Sequence, residues 1–258
     1  MSDSARDSNA PRDDDAPRAA AVIPARWAST RLPGKPLLAE TGKPLIQHVW
    51  EQVRRARCFS DVVVATDDAR IAEACAAFGA EALMTDPSHP SGTDRMAEVA
   101  GRLPHEILVN VQGDEPEIEP EDLERLVARL HEHGDELATM ARPLGAHEAD
   151  LAVDPNAVKV VCSDAGRALY FSRSTIPHGS DPEGIWLHLG VYAWRRDALL
   201  RFAAAPPARI ELRERLEQLR ALAMGMSIGV ISSDNDGLGI DTPDDYARFV
   251  KRLGERTA

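Results

Sequence analysis

From Ala19 onward, short apolar runs alternate with segments whose apolar positions recur every three or four residues. Runs at 20–24, 61–66, 80–84 and 107–111 predict strands bounded by polar or turn-forming residues. Between them, Ile46, Val49 and Val53 fall at i, i+3 and i+7, and Leu123, Leu126, Val127 and Leu130 fill one face after Pro120. Proline suits the first position of a helix because its missing N–H would have no partner there. Strands alternating with such helices predict an α/β fold in which right-handed crossovers join mostly parallel strands.

The chain reads differently after about residue 136. Runs at 137–144, 157–162 and 186–194 predict strands separated by turns and short helices, the pattern of a smaller mixed-sheet lobe. A long amphipathic helix is expected over 211–224, with Leu212, Leu216 and Leu219 on one face. A strand at 227–232 and a helix after Thr242 close the chain. No internal repeat separates the parts, and no linker does. Residues 1–18 stand apart: the first twenty positions hold five Asp and three Arg but no Val, Ile, Leu or aromatic residue. Burial cannot offset the ordering entropy of such a segment, so a disordered tail is expected there. The folded domain is expected over 19–258.

Composition removes several function classes. At 258 residues and 43% hydrophobic content, the chain can bury a full-sized core. Its formal net charge of -12 argues against a nucleic-acid or anionic-membrane surface, which would need clustered Lys and Arg. An anionic ligand must then meet a local basic pocket. Cys58, Cys75 and Cys162 are odd in number, widely spaced and form no Cys-x-x-Cys pair, so they read as small core residues. No apolar run approaches the ~18 residues of a membrane span, and no signal peptide is evident.

Candidate chemistry starts directly after the first strand. Residues 24–36, from Pro24 to Pro36, hold the cations Arg26, Arg31 and Lys35 around Gly34. Ligands of open α/β sheets bind beyond the carboxyl ends of the strands, where this loop lies. Glycine admits the backbone to phosphate, and Arg and Lys neutralise its charge. A Walker loop is excluded because Ser29 stands at the earlier glycine position and Pro36 at the Ser/Thr position. No Gly-x-Gly-x-x-Gly follows the first strand either.

Two acids suit a hard cation. Asp114 ends the strand of Val109-Asn110-Val111-Gln112-Gly113-Asp114-Glu115-Pro116, where a carboxylate can hold Mg²⁺ together with phosphate oxygens. Such an acid can equally cap the next helix. Asp241 lies in Ile240-Asp241-Thr242-Pro243, which also reads as a helix start with Thr242 as N-cap and Pro243 as first helical residue. Asp241 gains a chemical role only if the fold pairs it with Asp114.

Several further runs appear in order: Ala65-Thr66-Asp67, Ser91-Gly92-Thr93-Asp94-Arg95, Tyr170-Phe171-Ser172-Arg173, His188-Leu189-Gly190-Val191-Tyr192 and Leu216-Glu217-Gln218-Leu219-Arg220. With Pro24-Ala25-Arg26 and the loop and acid segments above, the chain resembles the 3-deoxy-manno-octulosonate (Kdo) cytidylyltransferase family over about 20–253. That resemblance implies a Rossmann-like nucleotidyltransferase fold, a homodimer, CTP and a 3-deoxy octulosonate as substrates, and a cytoplasmic step toward lipopolysaccharide.

Residue roles follow from the same resemblance. Arg26, Arg31 and Lys35 would hold the triphosphate, Ala25 would also meet the nucleotide, and Thr66, Asp67, Ser91, Gly92 and Thr93 would border the cytidine. Gln112 would lie between nucleotide and sugar. Arg173, His188, Tyr192, Glu217 and Gln218 would meet the sugar acid, and Asp114 and Asp241 would bind Mg²⁺. Arg26, Lys35, Asp114 and Asp241 form the expected catalytic set. The nucleotide part would comprise about 19–135 and 227–258, and the sugar and dimer part about 136–226. The segment 176–187, which borders the dimer contact in the family, is shorter than in enterobacterial relatives. The reaction that the resemblance implies, attack of the sugar's anomeric 2-hydroxyl on the α-phosphorus of CTP, would need no protein nucleophile.

Bland alternatives exist for single residues. His188 and Tyr192, at i and i+4 on one strand face, suit ordinary packing, and Glu217 could pair with Arg213 or Arg220 on a helix. Among whole-chain readings, the same transfer to an 8-amino analogue of the sugar shares most of these motifs. Another sugar, polyol or cofactor nucleotidyltransferase would lack reason for the Arg173, His188 and Glu217-Gln218 set. A non-catalytic nucleotide-binding module would lack Asp114 or Asp241.

Overall fold

The computed structural model describes residues 19–28, 32–179, 182–235 and 239–257. A single nine-stranded sheet organises them, with main-path order β3-β2-β1-β4-β8-β5-β9. These strands are β1 (Ala19–Ala25), β2 (Phe59–Thr66), β3 (Glu81–Met84), β4 (Ile107–Asn110), β5 (Leu137–Pro143), β8 (Trp186–Arg195) and β9 (Ile228–Ser232). All neighbours on that path run parallel except at β8, which is antiparallel to both β4 and β5. The hairpin β6 (Lys159–Cys162) and β7 (Ala168–Ser172) joins through β6 to the first residues of β8. The expected mixed region is therefore an extension of the same sheet.

Central position explains the apolar runs. β1 lies between β2 and β4 and buries both faces, so Ala-Ala-Ala-Val-Ile shows no polar alternation. Its odd residues, Ala19, Ala21 and Ile23, pack under α1 (Leu45–Val53), α2 (Ala69–Ala77) and α4 (Pro120–His133). On the opposite face, Val22 packs in a cluster with α3 (Gly92–Ala100), α6 (Arg196–Ala204) and α8 (Gln218–Ala223). The predicted stripes are core in fact: Ile46, Val49, Val53, Leu123, Leu126 and Leu130 are all fully buried. The last helix, α9 (Pro243–Thr257), docks through Tyr246 and Phe249 onto Leu32, Leu45 and Ile240. Between β5 and β6 lies the short α5 (Ala149–Val153).

The expected single helix over 211–224 is instead two helices. α7 (Arg209–Glu214) stops at Arg215, whose φ of 56° is left-handed, and α8 begins at Gln218. The physical reason is visible in the hydrogen bonds. Arg173 Nε and Nη2 donate to the carbonyls of Glu214 (2.9 Å) and Arg215 (3.2 Å), acceptors that a continuous helix would use itself. Buried Glu211 accepts two hydrogen bonds from Arg220, at 2.9 and 2.6 Å, folding one helix back against the other. Leu212, expected on the buried face, is 64% exposed, whereas Leu216 and Leu219 are buried.

Candidate active site

The carboxyl ends of β1 and β4 open into a cavity of about 330 Å³. Ala25, Arg26, Lys35, Gly92, Gln112 and Asp114 all line it, joining four separate sequence motifs. Two glycines make this approach possible. A Cβ on Gly113 would stand 2.7 Å from the Pro24 carbonyl oxygen, so only glycine lets β1 and the end of β4 lie this close. Gly34 has φ of 68° at the head of a 3₁₀ turn, Lys35–Leu37, and packs under the Trp27 ring. The Arg70 guanidinium lies over the same ring, 3.4 Å from its centroid.

Lys35 forms the centre of the site. Its ammonium donates to Asp114 Oδ2 at 2.6 Å, to the Ile240 carbonyl at 2.9 Å and to Asp241 Oδ1 at 3.3 Å. The two acids, distant in sequence, thus meet on one cation. A backbone bond from Ile240 N–H to the Asp114 carbonyl, 2.9 Å, fixes their spacing. The start of α9 is capped as the sequence predicts at Thr242, but the capping carboxylate is Asp245, which accepts from Thr242 N–H at 2.8 Å and Asp241 N–H at 3.1 Å. Asp241's own carboxylate is therefore turned to Lys35 rather than spent on the cap. Asp114 and Asp241 side chains remain 25% and 45% exposed, open enough for an added ligand to reach them.

Around this centre, the expected nucleotide residues take up distinct positions. Arg26 Nη2 donates to the His89 carbonyl at 2.8 Å, reaching across to the segment before α3. Ser91 caps α3, accepting from Asp94 N–H at 3.1 Å, and the first helical residue, Gly92, faces the cavity. A helix N-terminus directed at the cavity favours anions there. Thr66 is fully buried and its hydroxyl accepts from Asp68 N–H at 3.2 Å, while Asp67 is paired at 2.7 Å with Arg95. Arg31, together with Ser29 and Thr30, lies outside the described residues.

The expected sugar residues divide into two groups. Glu217 accepts from Ser91 Oγ at 2.9 Å and Thr93 Oγ1 at 2.7 Å, so the corner before α8 is tied to the first turn of α3. It does not pair with Arg213, and Arg220 is committed to Glu211. Gln218 is buried beside it as the first residue of α8. Burial, and then the nearby Glu217 charge, raise the Tyr192 phenol well above its ordinary value. Tyr192 contacts the His188 ring, with centroids 5.4 Å apart, and His188 sits edge-on to Phe171 at 5.0 Å. Burial lowers His188 to about 3, so its imidazole is neutral at physiological pH. Gln112 Nε2 donates to the Gly190 carbonyl on the same strand at 3.3 Å, linking the cavity to this group.

Arg173, expected to meet the sugar acid, follows the last residue of β7 and points its guanidinium at protein carbonyls. Besides Glu214 and Arg215, it donates to the Pro155 carbonyl at 2.8 Å, using three of five N–H groups. Its immediate effect is to brace the left-handed corner two residues before Glu217.

Three further residues shape the site. Arg95 is fully buried and holds Asp67 and Thr85, a role hinted at by its place in the Ser-Gly-Thr-Asp-Arg run. Thr139 is the lone polar residue in the apolar run of β5, and its hydroxyl contacts His188 Nε2 at 3.0 Å. Glu115 borders a second cavity of about 570 Å³ behind Asp114. Desolvation, with the adjacent Asp114 charge, raises Glu115 to about 8. Nothing in the sequence distinguished it from an ordinary turn acid.

A cationic loop after β1, two converging carboxylates and a helix N-terminus over one cavity, at the strand ends of a mostly parallel sheet, define a nucleotidyltransferase. The profile of the cytidylyltransferase family matches residues 20–228. The chain belongs to the 3-deoxy-manno-octulosonate cytidylyltransferase family. It is 46% identical over 248 residues to the enzyme of that name from Geobacter sulfurreducens, covering 90% of this chain and 98% of the relative. The Myxococcus xanthus enzyme of that name is 47% identical over 243 residues, covering 93% and 98%. A solved structure of a CMP:2-keto-3-deoxy-manno-octonic acid synthetase complexed with CTP superposes with a TM-score of 0.88 at 41% identity, covering 93% of this chain and 99% of the other.

Proposed function

We propose that this chain transfers CMP from CTP to the anomeric hydroxyl of 3-deoxy-D-manno-octulosonate, giving CMP-Kdo and pyrophosphate for lipopolysaccharide biosynthesis. The observation that carries the chemistry is the convergence of Asp114 and Asp241 on the Lys35 ammonium at the mouth of the 330 Å³ cavity. The sugar's 2-hydroxyl attacks the α-phosphorus and gives up its proton to water, the bond from that phosphorus to the α,β-bridging oxygen breaks, and pyrophosphate leaves. No side chain forms a covalent bond. The protein's part in such a transfer is positioning and charge neutralisation.

Asp114 and Asp241 suit Mg²⁺. They are hard oxygen donors that already share one cation, and both side chains are partly exposed. Among the described residues no cluster of three or more His, Cys, Asp or Glu gathers, so the other ligands would be phosphate oxygens and water. When bound with nucleotide, the ion would supply charge neutralisation at the phosphates. Arg26 and Lys35 add fixed positive charge, Gln112 spans the cavity and β8, and His188, Tyr192, Glu217 and Gln218 receive the sugar acid. The active form is a homodimer in the cytoplasm. Among the described residues, no helix is long and apolar enough to cross a membrane.

A pyrophosphate-release assay with CTP against a panel of sugar acids tests this reading. Turnover with Kdo that needs a divalent cation supports it. Preference for the 8-amino analogue would move the substrate assignment, and full activity in excess chelator would remove the metal from Asp114 and Asp241.

A further inference from the structure

The two expected sugar-binding aromatics on β8 are separated by an irregularity in the sheet. Opposite β8, Thr139 pairs with Tyr192, yet the next residue, Met140, pairs with Leu189, so Gly190 and Val191 bulge out of the ladder. Bulges of this kind commonly re-aim side chains near functional sites. Here the bulge turns the Gly190 carbonyl to Gln112 Nε2, and so toward the nucleotide cavity. The Leu189 and Val191 carbonyls turn instead to the Thr139 hydroxyl, at 3.1 and 2.8 Å.

That arrangement decides where a proton must be. The Thr139 hydroxyl carries one hydrogen, and two carbonyl oxygens, which can only accept, lie within reach of it. His188 Nε2 is also within reach, 3.0 Å from Oγ1. Were the hydroxyl hydrogen aimed at Nε2, both carbonyls would face Oγ1 lone pair to lone pair, in a buried setting where that is costly. The consistent network has the hydroxyl donating to the carbonyls and His188 Nε2–H donating to Oγ1. The neutral ring then has a bare lone pair at Nδ1, for which no protein partner occurs among the described residues.

We propose that Thr139 is a positioning residue that fixes His188 as the Nε2–H tautomer, so that His188 Nδ1 accepts a hydrogen bond from a sugar hydroxyl and is closed to the sugar carboxylate. The inference rests on the sugar-acid reading of the site, and it assigns that acid's two polar chemistries to different places. A lone pair at Nδ1 attracts an O–H and repels a carboxylate. The acid group must therefore be met by cationic or N–H donors elsewhere in the site.

Nitrogen NMR of His188 in the full chain at neutral pH, together with separate KM values for CTP and Kdo, tests this in the native protein, Thr139→Val and Thr139→Ser. Wild type and Thr139→Ser should show a protonated Nε2 and a bare Nδ1. Thr139→Val should redistribute the tautomers and raise the KM for Kdo roughly 3- to 10-fold, the scale of one neutral hydrogen bond, with the KM for CTP unchanged. A wild-type ring protonated at Nδ1 overturns the proposal, as does a Thr139→Val enzyme with an unmoved tautomer or with both KM values raised alike. If Thr139→Val does not fold, the wild-type tautomer and the Thr139→Ser kinetics still decide. A protein that turns over no sugar acid would overturn the reading of the site's function, while the ring signature would remain readable by itself.

Discussion

The nucleotide side and the sugar side of this site are built by different means. Beyond β1 and β4, the backbone brings the functional groups together, and Lys35 bridges the two acids it has placed. Gly113 lets two strand ends touch, Gly34 turns the cationic loop, and the Ile240 to Asp114 bond sets two acids side by side. Beyond β8, they are placed by side chains reaching across long distances in sequence: Thr139 to His188, Ser91 and Thr93 to Glu217, and Arg173 to the corner at Arg215. The first arrangement concentrates its determinants in short contiguous motifs. The second spreads them over single residues whose partners are remote. A substitution on the nucleotide side should therefore remove chemistry and spare the fold, whereas one on the sugar side should disturb both.

The strongest test of that contrast is Asp114→Ala and Asp241→Ala. Each removes one of the two carboxylates on Lys35 and one proposed metal ligand. Turnover should fall by at least about 10²–10³-fold, the scale of losing a preorganised electrostatic contact, and circular dichroism and thermal unfolding should stay near wild type. Unfolding of either variant would show that the acids are structural and would break the comparison at its clearer end.

Glu217→Ala should come next. Its carboxylate accepts from Ser91 and Thr93 at 2.9 and 2.7 Å, so its loss unties α8 from the helix start that borders the nucleotide. A charged hydrogen-bonded group of this kind contributes ~1.5–3 kcal/mol, giving roughly a ten- to hundredfold rise in the KM for the sugar acid. Separate titrations of the two substrates sharpen the comparison: an equal loss of CTP affinity would place Glu217 on the nucleotide side.

How much of this was legible follows the same division. The strands of the parallel region were readable as unbroken apolar runs because both faces are buried, and the stripes of α1 and α4 because burial of one face imposes a period. The acid pair was readable as a possibility, since Asp114 ends a strand and Asp241 precedes a cap, but only the fold shows that Thr242 and Asp245 cap the helix reciprocally and that the Asp241 carboxylate reaches Lys35. The break between α7 and α8 was not legible. Leu212, Leu216 and Leu219 keep a helical spacing across it, and the residue that interrupts the helix, Arg173, lies 42 positions from Arg215. Nor could the role of Glu217 be read from spacing, because its partners lie 126 and 124 residues away.

Arg173→Ala probes that illegible link. Its guanidinium makes three hydrogen bonds to backbone carbonyls, and their loss should cost about 2–3 kcal/mol. For a domain of this size that corresponds to a fall in Tm of roughly 4–10 °C. The KM for the sugar acid should rise as the corner bearing Glu217 and Gln218 loosens. Arg173→Lys should recover little, since one ammonium cannot reach carbonyls spread around a planar fork. A variant with unchanged Tm but weakened sugar binding would return Arg173 to direct contact with the substrate.

The smallest effect is expected from protons on His188, and it tests whether the sugar side couples chemistry to stability. Burial holds the folded-state value at about 3, below the ordinary 6.5 that applies when the chain unfolds. Between those values the unfolded state binds a proton that the folded state does not, so stability falls as pH drops below 6.5 and continues to fall toward 3. The slope cannot exceed about 1.4 kcal/mol per pH unit, and by pH 5.5 the accumulated loss is about 1.4 kcal/mol. One carboxylate acts in that range: Glu115, raised to about 8, adds stability as pH falls from there toward 4.5, a slope of the opposite sign. Glu148, lowered to about 2 chiefly by its hydrogen bonds from Arg142, stabilises fully above 4.5 and loses its contribution only as pH falls from there toward 2. His48 and His131, also lowered by burial, add slopes of the same sign, so the measurement must be a difference. Denaturant unfolding of wild type and His188→Gln between pH 5 and 7 supplies it: glutamine can still donate to Thr139 but cannot titrate. The wild type should lose stability more steeply than the variant as pH falls. Parallel curves would mean that the His188 ring takes up its proton as readily in the folded protein as in the unfolded chain, and the sugar side would then be no more closed to water than the loop around Lys35.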